Sequence, residues 1–428
     1  MKTYPKYKDS NIPWIGKIPC EWNVTRNKNF FTCKKEIVGC NSSVTQLLSL
    51  TKKGVVKKDI NNTDGKQPES FDTYQYVNKD DIVMCLFDLD CSAVFSGISN
   101  FNGMISPAYK VLKCKNIVPR FVDYWFSYVS DGRKFNHYAK NIRYTLNFED
   151  FSALPILIPT IREQQSIAAY LDRKCSAIDS VIKTESRIIE KLKEYRQSLI
   201  TEAVSHGLNP HAPMKASGIP WIGRIPRHWG ITQISRLFNV ILGKMLSPKP
   251  LSEADTLENY LCSANIRFEG IDTKEIKQMY FNSKEKEEYL LKKGDVLISE
   301  GGDAGSVSIY NNEAYPCYIQ NAVHKLFSKD DKKALNRFLY YWIFFCKKIG
   351  YIDFLCNKVS IMHYTKEKVL KTPIVVPPIE EQTAIADFLD KKCSAIDSTI
   401  SKKQQIIEKM TEYKKSLIYE CVTGKLSI

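Results

Sequence analysis

The chain has 428 residues, 43% of them hydrophobic and 11% aromatic, which is enough to bury more than one core and excludes a disordered chain. No run reaches the length of a membrane span and the N-terminal MKTYPKYKDS lacks the apolar core of a signal peptide, so a cytoplasmic protein without a membrane partner is expected. The net charge of +15 points to a polyanion or serves solubility alone, and thirteen cysteines without CxxC or zinc spacing predict reduced, mostly buried thiols and no metal.

In chain order, the first element is SNIPWIGKIPCEW (Ser10 to Trp22), whose prolines and glycines exclude a helix. It reads as an extended arm with turns, anchored by burial of Trp14 and Trp22, although aromatic anchors in a basic protein could also stack on bases. KDDIVM (Lys79 to Met84) and SPAYKVL (Ser106 to Leu112) read as short strands, and RFVDYWFSYV (Arg120 to Val129) as a helix too apolar for a wide exposed face. FSALPILIPTIREQ (Phe151 to Gln164) reads as a strand and proline turn feeding a long helix.

That helix, Ile161 to Ser205, has Ile178, Ile182, Glu185, Ile189, Leu192, Arg196, Leu199 and Ala203 on alternating steps of four and three. About 40 residues without proline or glycine give a rod of roughly 60 Å. A linker, SHGLNPHAPMKASG (Ser205 to Gly218), follows, and then every element returns. The second arm is SGIPWIGRIPRHW (Ser217 to Trp229), with Trp221 and Trp229 as its anchors. KGDVLI (Lys293 to Ile298), QNAVHKL (Gln320 to Leu326), RFLYYWIFFC (Arg337 to Cys346) and VLKTPIVVPPIEEQ (Val369 to Gln382) answer the first module's elements in the same order. The second helix, Ile379 to Thr423, matches the first in 26 of 45 positions at an offset of 218. Such a match is a duplication.

The bodies between the helices barely resemble each other, so the modules share a fold while their surfaces have diverged. Residues 1–162 carry 23 basic and 15 acidic side chains and residues 206–379 carry 24 and 17, whereas the helices are near neutral. Basic bodies on a neutral rod suit two contacts with a polyanion. Each rod's apolar stripe can be covered by the other copy or by its own module; antiparallel pairing would bring Glu185 near Lys414 and Arg196 near Lys403.

The repeated order of PWIGxIPxxW arm, variable module, P-x-x-EQ entry and long helix resembles the specificity (S) subunit of a type I restriction-modification system, over nearly the whole chain. The resemblance implies an α+β fold: two globular target recognition domains, each followed by a long helix, with the helices packed as an antiparallel coiled-coil-like pair in a pseudo-twofold repeat. It places the first recognition domain with its arm at residues 1–160 and the first spacer helix at 161–206. Residues 207–378 become the linker, arm and second recognition domain, and residues 379–428 the second spacer helix and tail. Each domain would read half of a split, asymmetric site in double-stranded DNA. The helices would set the spacer and dock methyltransferase (M) subunits, expected to be two, and restriction (R) subunits would join the assembly. The chain itself would be non-catalytic and need no cofactor.

Absences agree with that expectation. There is no GxxxxGK[ST] phosphate loop and no [DNS]-P-P-[YFW] tetrapeptide, and EGGDAGS (Glu300 to Ser306) follows a strand without opening a helix, which suits a hairpin loop better than a phosphate cradle. An enzyme acting on DNA through a degenerate site, or a scaffold binding DNA without selecting sequence, remain the alternatives. Candidate DNA contacts come from KNIRYTLN and NKVSIMHYT, which precede the proline turn in each copy: Lys140, Asn141, Arg143 and Tyr144, and Lys358, Ser360, His363 and Tyr364. Lys52 and Lys53 in TKKGVVKKD and Asn265 and Arg267 in SANIRFEG complete the set. The rod suggests half-sites on the order of one DNA turn apart, roughly 10 base pairs.

Overall fold

Short apolar runs bounded by turns become strands in both halves of the chain. The computed structural model describes residues 3–52, 54–59, 68–87, 89, 95–138, 144–356 and 363–428. They form two units: Met1–Ser186 with Lys403–Ile428, and Arg187–Lys402.

The first unit is built on an antiparallel sheet in the order Phe31–Lys34, Lys110–Cys114, Ile82–Met84, Ser96–Ile98. The second unit repeats it as Phe238–Leu242, Val323–Ser328, Val296–Ser299, Val307–Ile309. The strands expected in KDDIVM and SPAYKVL are thus hydrogen-bonded neighbours, as are those in KGDVLI and QNAVHKL. Residues alternate across each sheet because strand side chains point to opposite faces. Ile82, Met84 and Leu112 join the core beneath the aromatic helix, while Val83 and Val111 pack with Leu48, Leu50 and Val55 on the other face. Both faces are covered, which is why these strands read as continuous apolar runs. The second unit adds a three-stranded sheet, Lys277–Phe281, Thr256–Leu261 and Tyr318–Ile319, with its own small core of Tyr260, Met279, Phe281 and Tyr318.

The aromatic helices are Pro119–Asp131 and Asn336–Lys348. Pro119 opens the first, where a missing N–H costs nothing. Phe121, Trp125 and Phe126 in one, and Phe338, Trp342 and Phe345 in the other, are buried against the sheets.

The EQ that recurs at the two helix entries has a physical explanation. Gln164 accepts from the Val118 N–H (2.9 Å) and donates to the Pro159 carbonyl (2.9 Å), tying the start of the aromatic helix to the proline turn. Gln382 does the same with the Leu335 N–H (3.0 Å) and the Pro377 carbonyl (2.9 Å). The preceding glutamate holds the arm: Trp22 Nε1 donates to Glu163 (3.0 Å) and Trp229 Nε1 to Glu381 (2.9 Å). Both indoles are fully buried, whereas Trp14 and Trp221 are half-buried against the same cores. Further along, Asp172 accepts from Arg120 (2.7 Å) and the Tyr124 hydroxyl (2.8 Å), and Asp390 accepts from Arg337 and the Tyr341 hydroxyl. The duplicated helix residues are therefore the ones that seat the module.

The long helices run Ile161–His206 and Ile379–Val422. Each ends near a left-handed glycine, Gly207 (φ 78°) and Gly424 (φ 70°), and an arm lies over each. A Cβ on Gly207 would come within 3.1 Å of the Trp229 ring, and one on Gly424 within 2.3 Å of Pro19.

The helices pair antiparallel within each unit, but in a different register of charges from the expected one. In the first unit Lys403 bonds Glu185 (2.7 Å) and Lys414 bonds Asp179 (2.7 Å); in the second, Arg196 bonds Asp397. Glu185 meets its own counterpart in the repeat, and Arg196 and Lys414, which are also counterparts, each take an aspartate. No like-charged layer results among the described residues. The expected approach of Arg196 to Lys403 would have left a buried guanidinium beside an ammonium; instead the Arg196 guanidinium lies over the Phe268 ring (5.0 Å).

Candidate nucleic-acid interface

Each central strand runs into a loop, and in both units that loop receives the chain entering the last short helix before the proline turn. The Leu146 N–H donates to the Leu86 carbonyl (2.8 Å), and the Tyr364 N–H donates to the Glu300 carbonyl (2.8 Å). Leu86 and Glu300 occupy the same place in the repeat, as do Leu146 and Tyr364. The two stretches nominated from sequence therefore end on equivalent loops.

In the second unit the loop is the hairpin turn joining Val296–Ser299 to Val307–Ile309, as EGGDAGS suggested. Gly302 (φ 71°) and Gly305 (φ 85°) adopt backbone angles that side chains avoid. Behind the loop, His324 Nε2 donates to the Tyr364 carbonyl (2.9 Å) and stands 3.6 Å from Glu300. Burial pushes the Glu300 carboxyl above its ordinary range, against the pull of His363. His363 is exposed, with Nδ1 4.0 Å from Glu300, and Lys368 donates to its carbonyl (3.0 Å). Lys347 bridges Asp303 (3.1 Å) and Asp353 (2.9 Å), fastening the loop to the chain after the aromatic helix. Sequence reasoning missed His324 and Lys347; the only signal was a histidine within the apolar strand QNAVHKL.

The nominated residues divide. Lys53, Lys140, Asn141, Arg143, Lys358 and Ser360 lie outside the described residues. Lys52 is exposed at the turn of the hairpin Leu48–Thr51/Gly54–Lys57, and Tyr144 is exposed beside Leu89, with φ 48°. Arg267 is exposed and paired with Asp272 (2.8 Å).

Two nominations are corrected. Tyr364 is 0% exposed, its hydroxyl bound to Thr372 (2.5 Å), and burial drives the phenol well above its usual range, so it is a core residue. Asn265 is 5% exposed and holds a turn: Oδ1 accepts from the Cys262 N–H (2.9 Å) and Nδ2 donates to the carbonyls of Asp272 (2.8 Å) and Glu275 (3.1 Å). Neither offers an atom to a base.

Among the described residues, no three His, Cys, Asp or Glu side chains converge to hold a metal, and no helix is long and apolar enough to cross a membrane.

Comparison with known proteins bears on this arrangement. Residues 226–409 match the family model of the type I restriction modification DNA specificity domain. A Methanocaldococcus jannaschii protein, provisionally named type I restriction enzyme MjaX specificity subunit, is 24% identical over 441 residues, covering 99% of this chain and 98% of that protein. The chain is thus similar to type I restriction enzyme specificity subunits over nearly its whole length. The type I restriction enzyme MjaVIII specificity subunit of the same organism is 22% identical and covers 82% of the chain and 80% of its own length. A solved chain from work on complex assembly and conformational transition of the type I R-M system superposes with a TM-score of 0.69 at 14% identity, over 96% of this chain and 99% of that one. The crystal structure of the HsdS subunit from Thermoanaerobacter tengcongensis gives 0.50 at 15% identity, over 96% and 98%. These superpositions show that the α+β architecture with its paired helices is that of specificity subunits.

Proposed function

We propose that this chain selects the DNA sequence for a type I restriction-modification complex, each unit reading one half of a bipartite, asymmetric site in double-stranded DNA. The helix pair sets the spacing of the halves and carries two methyltransferase subunits, restriction subunits join the assembly, and these partners perform the chemistry in the cytoplasm. One observation carries the reading: a single scaffold of arm, four-stranded sheet, aromatic helix and EQ clamp is built twice, while the loops it presents differ. Identical scaffolds with unlike loops suit one task on two unlike ligands. The division of charge supports a polyanion, since the basic excess lies outside the long helices. Partner docking is supported by exposed apolar side chains on the helices: Ile406 and Tyr413 lie one heptad apart, and Tyr195 is the counterpart of Tyr413. A two-helix seam leaves such positions uncovered; helices of larger bundles use them.

A genome-wide map of adenine methylation, with the gene intact and deleted, tests the proposal. Loss of one split, asymmetric motif on deletion is expected. If every motif survives in a strain expressing the gene and its methyltransferase partner, the reading fails.

Phosphate binding is separately testable. Alanine at Lys140, Arg143 and Lys358 together is expected to weaken binding to all duplexes and to flatten the plot of log affinity against log salt by roughly one for each phosphate left unneutralised. An unchanged slope removes these residues from the interface.

A further inference from the structure

Phe354 is 79% exposed, yet it sits on one of the best-anchored pieces of the second unit. The short helix Tyr351–Leu355 starts from the left-handed Gly350 (φ 79°). Its first ring, Tyr351, stacks on Trp221 with centroids 4.0 Å apart. Ile352 is fully buried and lies against Gly305, where a Cβ would stand 2.8 Å from it. Asp353 is bonded to Lys347 (2.9 Å), Leu355 packs on the core, and Cys356 is buried. Among the described residues, every side chain from 351 to 356 is thus held by a partner except Phe354. The helix is fixed on three sides and projects a rigid apolar ring outward.

The surroundings indicate what the ring meets. Ile352 and Lys347 join this helix to the Glu300–Ser306 loop, which also bonds the His363–Tyr364 stretch. Among the described residues of 347–371, five lysines stand against two acidic residues. An exposed apolar ring in a basic surface complements a polyanion that also offers flat apolar faces, and stacked bases are such faces. A protein partner's apolar patch would call for a larger cluster; among the described residues of 347–371 the exposed large apolar side chains are Phe354 and, at 38%, Ile349.

We infer that Phe354 stacks on, or wedges between, bases of the half-site read by the second unit. The inference rests on the DNA-reading function proposed above. At the offset that aligns the aromatic helices, the corresponding residue of the first copy is His137.

The test uses the full chain and a duplex that the wild-type protein enriches from a randomised pool. Phe354→Ala is expected to lower affinity for that duplex on the order of tenfold, with the same salt slope, since the ring carries no charge. Phe354→Trp is expected to restore it. Thermal melting of the alanine variant should match wild type, because the deleted ring is mostly in solvent. In the enriched duplex, 2-aminopurine in one half-site should brighten on binding wild type and stay dim with Phe354→Ala. Equal affinity and equal fluorescence for the two proteins would overturn the inference while leaving sequence selection intact. If the wild-type chain enriches no sequence at all, the DNA-reading function falls and takes this inference with it.

Discussion

Exchanging residues 230–372 for the corresponding stretch of a relative is expected to change one half of the methylated motif and leave the other half as it was. The structure says why the exchange should fold. The segment begins with Gly230–Gln233 and ends just before Pro373–Val376, and these two strands pair through their backbones. Backbone pairing makes little demand on sequence, so the join transfers. Trp229, Glu381 and Gln382 all stay with the host chain, and Gln382 asks the incoming module only for main-chain groups. The demanding contact is Asp390, which needs an arginine and a tyrosine where Arg337 and Tyr341 stand. A donor with both should yield a stable hybrid, and one with neither should strip the carboxylate of both bonds. Methylation mapping of strains carrying the hybrid reads the outcome. Alteration of both halves would mean that the units do not read independently.

Mild acid should destabilise the second unit through His324. Its ring is fully buried; Nε2–H is spent on the Tyr364 carbonyl, so the neutral ring leaves Nδ1 as an acceptor without a partner among the described residues. Burial pushes the imidazole pKa down from 6.5 to about 4. The unfolded chain then binds a proton near pH 6.5 that the folded chain refuses until about pH 4, so stability falls across that window as the pH drops and levels off below it. The loss at the bottom is about 3 kcal/mol, enough to be a large share of a domain's stability. His324→Gln keeps a donor for the carbonyl and removes the titration. Urea unfolding at pH 7 and at a pH of about 4.5, inside that window, should show the difference: the midpoint of wild type drops further in acid than that of the variant. Equal acid sensitivity would mean that the ring finds a proton acceptor in the folded state.

The duplication, the module order, the long helices and the paired landmarks were legible because they rest on strong local signals. Identity over 45 residues needs no tertiary knowledge, and apolar periodicity reports burial directly. What failed was the direction of single polar side chains. An asparagine such as Asn265 can read a base edge, but the same amide closes a turn equally well, and its sequence neighbours do not say which. Tyr364 sits beside the exposed His363, and alternation turned one ring into the core and the other to the surface. The register of the helix pair was missed for a related reason. Glu185 and Lys403 pair with each other in the seam, but Asp179 and Asp397, the partners of Lys414 and Arg196, lie beside it, where a pattern of seam positions alone does not look.

The sharing of the long helices between the units also bears on how such a gene can change. The first unit is completed by Lys403–Ile428, which belongs to the second copy of the repeat, and the second unit is completed by the latter part of the first helix. Each copy finishes the other, in the manner of two swapped protomers fused into one polypeptide, where the linker replaces a bimolecular encounter by an intramolecular one. A substitution in either helix is therefore judged against both copies at once. Loops such as Glu300–Ser306 answer to one unit alone. Selection on the helices is reciprocal and on the loops separate, so drift can give the chain a new target while the frame that carries it stays alike from one half to the other.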